Sequence, residues 1–421
     1  MPGIGAAGIA GLGIEQLTPP VQAALATAAS GGTITAGTYK YMLTAINAVG
    51  ETNPSNEQTI VTTGSTSTVT VTWATVTGAT GYKLYKTAAG GATGTELLYK
   101  TVGAVTTDID TSPGSPAGAL PTANTAATPG VYAVPTKFFP FMSESLASVQ
   151  ETIFRRPIRQ NADVIGAVPG NFHVEGDIDI EALEDVIVYF IYSSRTLFAK
   201  TGTSPNFTYT ITPTSAGIPN KTLSLTMVRN GIVFGFTGMV TSSFVFSIEE
   251  GLLKLSISLL GRDEAVASLP TATWPTTTPF GAGQYSVEIP TATPVTDTDS
   301  FEFSVEDNAE AQFRLKTPGR GAQFIKYGER TSTLSLERDF DSRADFDAFK
   351  AITAQSITLT ATKGANNSIS MLAPVAIKDT YEIANSGQGD LVRASISYQN
   401  VIDGTGKSWQ IVVKTQEDFF P

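Results

Sequence analysis

The chain has 421 residues, of which 41% are hydrophobic and 15% charged, so it can bury sizeable cores and is expected to form two or three domains. It contains no Cys, which excludes disulfides and thiolate metal sites, and its net charge of −11 argues against nucleic-acid binding through phosphate neutralisation. No apolar run approaches the roughly 18 residues that cross a bilayer, so no membrane segment is predicted.

The first part of the chain is predicted to hold an arm, a small β-domain and a linker. Residues 1–30 are small and nearly uncharged, which is typical of an arm that orders against neighbours. Residues 31–112 contain short bursts of alternating apolar and β-branched residues, for example 68–73, and therefore predict a β-sandwich. Residues 113–134 collect prolines among Ala, Thr and Ser, and this composition predicts a semi-extended linker.

Parts of the small domain resemble fibronectin type III modules. Tyr39, Tyr41 and the residues up to Asn47 are similar to that family's late strands, whereas Trp73 and residues 78–82 are similar to its early strands. The late pieces come first in this chain. The resemblance implies an immunoglobulin-like β-sandwich.

The remaining two-thirds of the chain contains the same sequence pattern twice. Residues 154–157 lead to an alternating run at 171–179, a helical stretch at 181–192 and a strand at 222–226 before a turn at Asn230-Gly231. The order recurs at 313–316, 331–341, 345–353 and 356–360, before a turn at Lys363-Gly364. Each copy closes on Ser-Ile-Ser, at 256–258 and at 395–397. The sequence therefore predicts two tandem repeats, 135–275 and 276–421, within a mainly β protein.

Each repeat is expected to be a β-sandwich or partial barrel with one helix packed against it. Asp179 is predicted as the N-cap of the first helix, with Glu181 in its first turn. Asp341 or Ser342 takes that place in the second copy. The first copy carries additional residues at 195–221, rich in Thr, Pro, Gly and Asn, which predict a projecting loop or hairpin.

Neither catalysis nor a cofactor is predicted. The only His is His173, which lies in an alternating run and is interpreted as structural or interfacial. Two carboxylate clusters lack the spacing of a calcium loop and are interpreted as helix-capping acids. These clusters are Asp177, Asp179, Glu181, Glu184 and Asp185 in the first copy, and Asp339, Asp341, Asp345 and Asp347 in the second.

Basic residues recur at corresponding places in the two copies. They are interpreted either as a solvated face or as partners for acids of an adjacent subunit. The candidates for contacts between subunits are Arg155, Arg156 and Arg159 in the first copy, and Arg314, Lys316 and Arg320 in the second.

The repeated part resembles the tail tube (major tail) proteins of long-tailed, siphovirus-like bacteriophages in a duplicated form. The resemblance rests on residues 166–181 leading into the first helix, on the hairpin around Leu225 and Asn230-Gly231 with Phe236-x-Gly238, and on the second-copy counterparts. It implies rings whose inner strands join into one continuous β-barrel and stack into a tube that carries viral DNA. A duplicated chain is expected to form a trimeric, pseudo-hexameric ring, or alternatively a hexameric one, with the small domain outside.

The same resemblance implies partners and a location. The expected partners are other copies of the chain and the tape measure, tail terminator and distal tail proteins, while DNA passes without specific binding. The protein is expected in the virion tail after synthesis in the host cytoplasm.

The placement of charge suggests an acidic channel. Most of the net negative charge lies after residue 125. An acidic lumen lets DNA slide, because duplex DNA is itself densely negative. Five carboxylates alternate with apolar neighbours on predicted strands and are the lumen-facing candidates: Glu175, Asp177, Glu302, Glu306 and Glu337.

Two other functions fit a β-rich chain. The first is a cell-surface adhesin or carbohydrate-binding protein, in which the aromatic residues of the small domain would stack on sugars. Those residues are Tyr39, Tyr41, Trp73, Tyr82 and Tyr85. The second is a capsid or surface-layer protein.

Overall fold

The computed structural model describes residues 8–419 except 113–115, 157–162, 216–220, 269–270, 315–319, 341–342 and 386–390. These residues form two compact units, one of residues 8–14 with 130–419 and one of residues 15–129. Antiparallel strands dominate both units, and the described residues contain two short helices. The prediction of a mainly β fold is confirmed.

The smaller unit consists of two sheets. After a first strand, β1 (Ile9–Ile14), which belongs to the larger unit, the chain forms seven strands here. They are β2 (Ala26–Ala28), β3 (Gly37–Ile46), β4 (Gln58–Thr62), β5 (Thr68–Thr72), β6 (Gly81–Lys86), β7 (Leu97–Gly103) and β8 (Thr107–Asp110). One sheet has the order β4-β3-β6-β7 and the other β2-β5-β8. The immunoglobulin-like assignment of this unit stays a prediction.

Alternation along the strands builds the core of the smaller unit. Tyr41 and Leu43 of β3 are buried together with Val69 and Val71 of β5 because each pair is spaced two residues apart on one face of its strand. Met42 and Thr70, which lie between the members of each pair, are only half-buried, so the alternation read from the sequence matches a two-sheet core.

The larger unit begins with the first repeat. Its elements are β9 (Lys137–Phe139), β10 (Ser143–Glu144), β11 (Ala147–Arg155), β12 (Gly166–Glu181), α1 (Ile187–Tyr192), β13 (Thr196–Thr203), β14 (Asn206–Pro213), β15 (Leu223–Arg229), β16 (Ile232–Glu249), β17 (Leu252–Gly261) and β18 (Asp263–Ala265). The residues at 195–221 contribute the hairpin β13–β14, which pairs with the last strand of the chain.

The second repeat completes the larger unit with its own strands and helix. They are β19 (Tyr285–Glu288), β20 (Pro294–Val295), β21 (Thr298–Glu306), β22 (Ala309–Gln312), β23 (Phe324–Tyr327), β24 (Thr331–Asp339), α2 (Ala344–Lys350), β25 (Gln355–Gly364), β26 (Asn367–Asn385), β27 (Val392–Asn400) and β28 (Gln410–Thr415).

The strand pairing is the same in the two repeats. The order β11-β12-β17-β16 in the first repeat corresponds to β21-β24-β27-β26 in the second. The irregularities also coincide. β16 bulges between Thr241 and Ser243, and β26 bulges between Lys378 and Thr380, in each case next to the residue opposite the last Ser of the Ser-Ile-Ser tripeptide. Bulges are specific features of a fold, so a shared bulge marks equivalent strands.

The structure corrects the predicted arm at residues 1–30. Residues 9–14 form β1, which pairs with β15 as β19 pairs with β25 in the second repeat. β1 is therefore the first strand of repeat one, and residues 15–129 are inserted after it. The alternation of small apolar residues in β1 is too short to reveal a partner more than 200 residues away.

The predicted helix starts are also corrected. Asp179 and Glu181 lie on β12, whose pairing with β17 continues through Glu181 and Lys254, so Asp179 is not an N-cap. Helix α1 follows Val186 without a side-chain cap, and all of its residues are buried. Helix α2 has Arg343 as its N-cap, while Asp341 and Ser342 lie outside the described residues. Core packing, rather than capping, fixes where α1 forms.

Candidate functional site

The two repeats join edge to edge into one long sheet. Residues 243–247 of β16 pair antiparallel with residues 302–306 of β21, and we call this pairing the seam. Through it the strands follow one another in the order β11-β12-β17-β16-β21-β24-β27-β26, which we call the long sheet. The same four-strand block thus occurs twice, head to tail, within a single chain.

A hydrophobic cluster lies beneath the seam. Trp409, just before β28, is fully buried and contacts Phe244 of β16 and Phe303 of β21, with ring centroids 5.8 and 6.4 Å away. Each buried aromatic of this size contributes roughly 1.5–3 kcal/mol of hydrophobic free energy. The second repeat therefore supplies the side chain that packs under both sides of the seam.

A buried ion cluster closes one end of the seam. Asp307, whose side chain is only 2% exposed, accepts from Arg330 Nε at 2.6 Å and lies 3.4 Å from Arg195 Nη2. The backbone N–H of Arg195 donates to its other oxygen. Arg195 belongs to repeat one, whereas Asp307 and Arg330 belong to repeat two. The cluster therefore stabilises the contact between the repeats. No motif in the sequence marks Asp307 as a link between the repeats, because its partner in repeat one, Arg195, lies 112 residues away.

One face of the long sheet is polar, and the register shows which residues share it. Asp177 lies opposite Ser258, Ser258 opposite Ser243, and Ser243 opposite Glu306. Directly opposed residues on antiparallel strands point to the same side. Apolar residues such as Ile178 and Phe244 occupy the other side and are buried. We call the first side the polar face.

The structure brings all five lumen-facing candidates onto the polar face. Glu175 and Asp177 lie on β12, Glu302 and Glu306 on β21, and Glu337 on β24. The first four are exposed and Glu337 is half-buried. Whether this face lines a channel is a question of assembly and stays a prediction.

The polar face carries few cations. In the described part of the eight strands, the Lys and Arg side chains that lie on this face are Lys254 and Arg393. Both are neutralised by acidic residues. Lys254 is 2.8 Å from Glu249, and Arg393 contacts Asp299 and Glu337. The unpaired charge of the face is therefore negative.

The long sheet ends in two exposed edges. One edge is β11, which pairs with β12 alone, and the other is the second half of β26, which pairs with β27 alone, within the described residues. Ile383 on β26 is 46% exposed, whereas Phe246, its equivalent at the seam, is fully buried. β26 is equivalent to β16 and β11 is equivalent to β21. A further copy of the four-strand block could therefore pair with either edge in the way that β16 pairs with β21.

The predicted basic residues lie near the tips of two equivalent hairpins. Arg155 and Arg156 are exposed at the end of β11, and Arg314 and Arg320 are exposed in the connection between β22 and β23. The backbone carbonyl of Arg320 accepts from the N–H of Phe172 on β12 at 3.0 Å, so the two hairpins touch. Arg159 and Lys316 lie outside the described residues.

The other sequence candidates have structural surroundings. His173 lies on β12 with its Nε2 3.2 Å from Glu175 and its ring against Phe313. In the carboxylate clusters, Glu184 binds Lys363 and Asp185 binds Lys137, so those acids are held in ion pairs. Neither helix of the described part is long and apolar enough to cross a membrane.

The aromatic residues of the smaller unit are unavailable for stacking on sugars. Their side chains are buried in or beside its core, and Trp73 packs edge-on against Tyr82 with centroids 5.2 Å apart. The set is Tyr39, Tyr41, Trp73, Tyr82 and Tyr85. The carbohydrate-binding alternative loses the residues on which it depended.

Comparison with known proteins identifies the family of the chain. The family model described as phage tail tube protein matches residues 111–399, which is more than half of the chain and includes the seam. No curated protein matches the chain.

Proposed function

Because this chain belongs to the phage tail tube protein family, we propose that its copies close into rings that stack into the tube of a phage tail. Its role is structural, and the observation that carries the ring proposal is the seam. At the seam, the four-strand block of one repeat pairs through its edge strand with the block of the other. The two free edges of the long sheet, β11 and β26, are equivalent to the two strands that meet at the seam. Such heterologous contacts generate closed rings when the rotation permits.

The seam predicts the residues that meet between chains. Val245 pairs with Ser304 at the seam. The register of the two repeats makes Glu382 the equivalent of Val245 and Ala147 the equivalent of Ser304. We therefore expect Glu382 of one chain to lie opposite Ala147 of the next, with the exposed backbone groups of both edges satisfied by the pairing.

Cysteine cross-linking tests this register, since the chain has no Cys of its own. The variant Ala147→Cys with Glu382→Cys is expected to form a disulfide between neighbouring chains, because directly opposed strand residues have the required separation. The matched control is Ser148→Cys with Glu382→Cys, which shifts the pair by one residue and turns one thiol to the other side of the sheet. Denaturing gels after oxidation report the linked species. Tubes that form without the first cross-link would contradict the register, and a chain that stays monomeric would contradict the ring.

The duplication also bears on stoichiometry. Each chain contributes two copies of the block, so three chains give a ring with six equivalent blocks and pseudo-sixfold symmetry. A hexameric ring is the alternative. The mass of an isolated ring distinguishes them.

The polar face is proposed to line the channel. The carboxylates on β12, β21 and β24 outnumber the cations of that face, and negative walls repel the DNA phosphates that pass. Its Ser and Thr residues supply a hydrated surface between the carboxylates. DNA is then transported without being bound.

Charge reversal tests the channel. Phage that carry Glu302→Lys with Glu306→Lys are expected to eject DNA more slowly, because cations in the wall bind phosphate. The control is Asp347→Lys with Glu329→Lys, which makes the same charge change at exposed positions outside the eight strands. Ejection is timed on tails that look intact by microscopy. Equal rates in both phages would refute an acidic channel at these residues.

The hairpin arm, which we define as the exposed outer parts of β11 and β12 at residues 150–155 and 166–172, is proposed to contact the adjacent ring. Both sides of this arm are largely exposed, and it carries Ile153, Phe154 and Val168 without a core beneath them. Arg155 and Arg156 at its end, with Arg314 and Arg320 on the equivalent hairpin, are proposed to pair with acids of that neighbour.

The remaining assignments follow from family membership. We propose contacts with the tape measure, tail terminator and distal tail proteins, synthesis in the host cytoplasm and no catalytic activity. The inserted smaller unit is proposed to decorate the outside of the tube.

A further inference from the structure

A Lys and an Asp meet in the core of the smaller unit, and the proposed function uses neither of them. Lys86 ends β6 of the four-stranded sheet, and Asp110 ends β8 of the three-stranded sheet. Lys86 Nζ lies 2.7 Å from Asp110 Oδ2, and the two side chains are 1% and 3% exposed. A fully buried ion pair is costly, because both ions lose their hydration.

The groups around the pair are placed to polarise the Asp110 carboxyl. Tyr41 Oη donates to Oδ2 at 2.8 Å, and the backbone N–H of Ser112 donates to Oδ1 at 3.2 Å. The Tyr99 ring lies 4.7 Å from Lys86 Nζ and shields it from water. Burial and the nearby Asp110 raise the pKa of Tyr41 far above its usual range, so this hydroxyl remains a donor.

We propose that Lys86 and Asp110 form an intramolecular amide bond that joins the two sheets of the smaller unit. The ammonium first passes one proton to the carboxylate, which gives a neutral amine and a neutral acid. Nζ then bonds to Cγ, the Cγ–Oδ2 bond breaks, and Oδ2 leaves with two protons as water. Charges and atoms balance without an oxidant or any co-reactant.

Burial supplies the driving force and the geometry. In water the separated ions are favoured by hydration, but in this core hydration is absent and the neutral amide removes both buried charges. The fold holds amine and carboxyl in contact, which replaces an encounter in solution by a local step. The Ser112 N–H stabilises the oxygen that becomes the amide carbonyl, while Tyr41 assists the oxygen that leaves.

The chain contains a second Lys–Asp pair, which is not fully buried. Lys100 Nζ lies 2.6 Å from Asp108 Oδ1 between β7 and β8, but its side chain is 45% exposed. The Lys100 ammonium keeps most of its hydration, so this pair is expected to remain ionic. It therefore serves as the internal control.

Mass spectrometry of the full chain tests the proposal. The intact denatured protein is expected to be lighter than its sequence by one water molecule, and digestion is expected to yield linked peptides that contain Lys86 and Asp110. Lys86→Arg should restore the full mass, while Lys100→Arg should leave the deficit unchanged.

If Lys86→Arg fails to fold, the peptide map of the unaltered chain decides by itself. An intact mass that equals the sequence mass overturns the proposal, as does a deficit that maps to Lys100 and Asp108. Neither result depends on whether the protein forms tubes.

Discussion

At the scale of single residues, Asp307 is a buried carboxylate at the junction of the repeats. It is buried between two guanidinium groups that belong to different repeats. Removal of one partner from such a cluster leaves charges buried without compensation.

Asp307→Ala is expected to lower the free energy of unfolding of the larger unit by about 3–5 kcal/mol. Asp347→Ala provides the control, because Asp347 forms an exposed pair with Arg343 and should change stability by less than about 0.5 kcal/mol. Urea denaturation of both variants measures the difference. Similar midpoints would show that the Asp307 cluster does not hold the seam.

A second residue-scale effect concerns pH. Glu96 is buried in the smaller unit, and burial together with the neighbouring Glu57 raises its pKa above the ordinary glutamate value. A carboxyl whose pKa is raised in the folded state makes its full contribution to the stability of the fold at pH values below its pKa in the unfolded chain. This contribution is lost as the pH rises through the pKa of the folded state.

Glu96→Gln keeps a neutral group that can donate to Glu57, so it is expected to raise the melting temperature of the smaller unit at pH 7 but not at pH 4. Glu96→Ala is the control and should lower it at both, because it leaves a cavity. Thermal unfolding at the two pH values checks this. A Gln variant without a pH-dependent gain would contradict the assignment.

At the scale of elements, the hairpin β15–β16 and its equivalent in the second repeat, β25–β26, differ in the position of their turns. The turn at Asn230-Gly231 lies where the sequence predicts it, and both residues have positive φ, 52° and 77°. In the second copy Lys363 and Gly364 belong to β25, and the turn falls at residues 365–366. The predicted turn there is wrong by two residues, because strand pairing extends further than the Gly signal suggests.

Gly231→Ala is expected to destabilise the larger unit by about 1 kcal/mol, since a side chain at positive φ is strained even in open space. Gly281→Ala is the matched control: its Cβ would also meet nothing, and its φ is not in the positive region. Denaturant midpoints compare the two. Equal effects would remove the conformational explanation.

At the scale of the whole molecule, the exposed edge of β26 is expected to decide assembly. Ile383→Lys should abolish rings without unfolding the chain, because Ile383 is partly exposed and its place in the seam is taken by a buried Phe246. Ile402→Lys, at an apolar position of greater exposure outside that edge, should assemble normally. Sedimentation and electron microscopy report both results, and intact rings of the Ile383 variant would exclude this edge from the contact.

The sequence by itself determined what is local or repeated. Alternation predicted the mainly β fold, Asn230-Gly231 predicted its turn, and the resemblance of the repeated part to tail tube proteins predicted the family that the comparison then showed. The spacing of Glu175 and Asp177 predicted exposed carboxylates on one strand face. These properties depend on neighbours a few residues apart, which a linear reading can count.

Only the tertiary structure decided which strands pair. The place of β1 in the first repeat, the seam between β16 and β21 and the ion cluster at Asp307 join residues far apart in the chain. A strand pattern specifies a face but not a partner, because any antiparallel edge of suitable register satisfies its hydrogen bonds. The choice among those edges is made by the shared core beneath them, and no single segment contains that core.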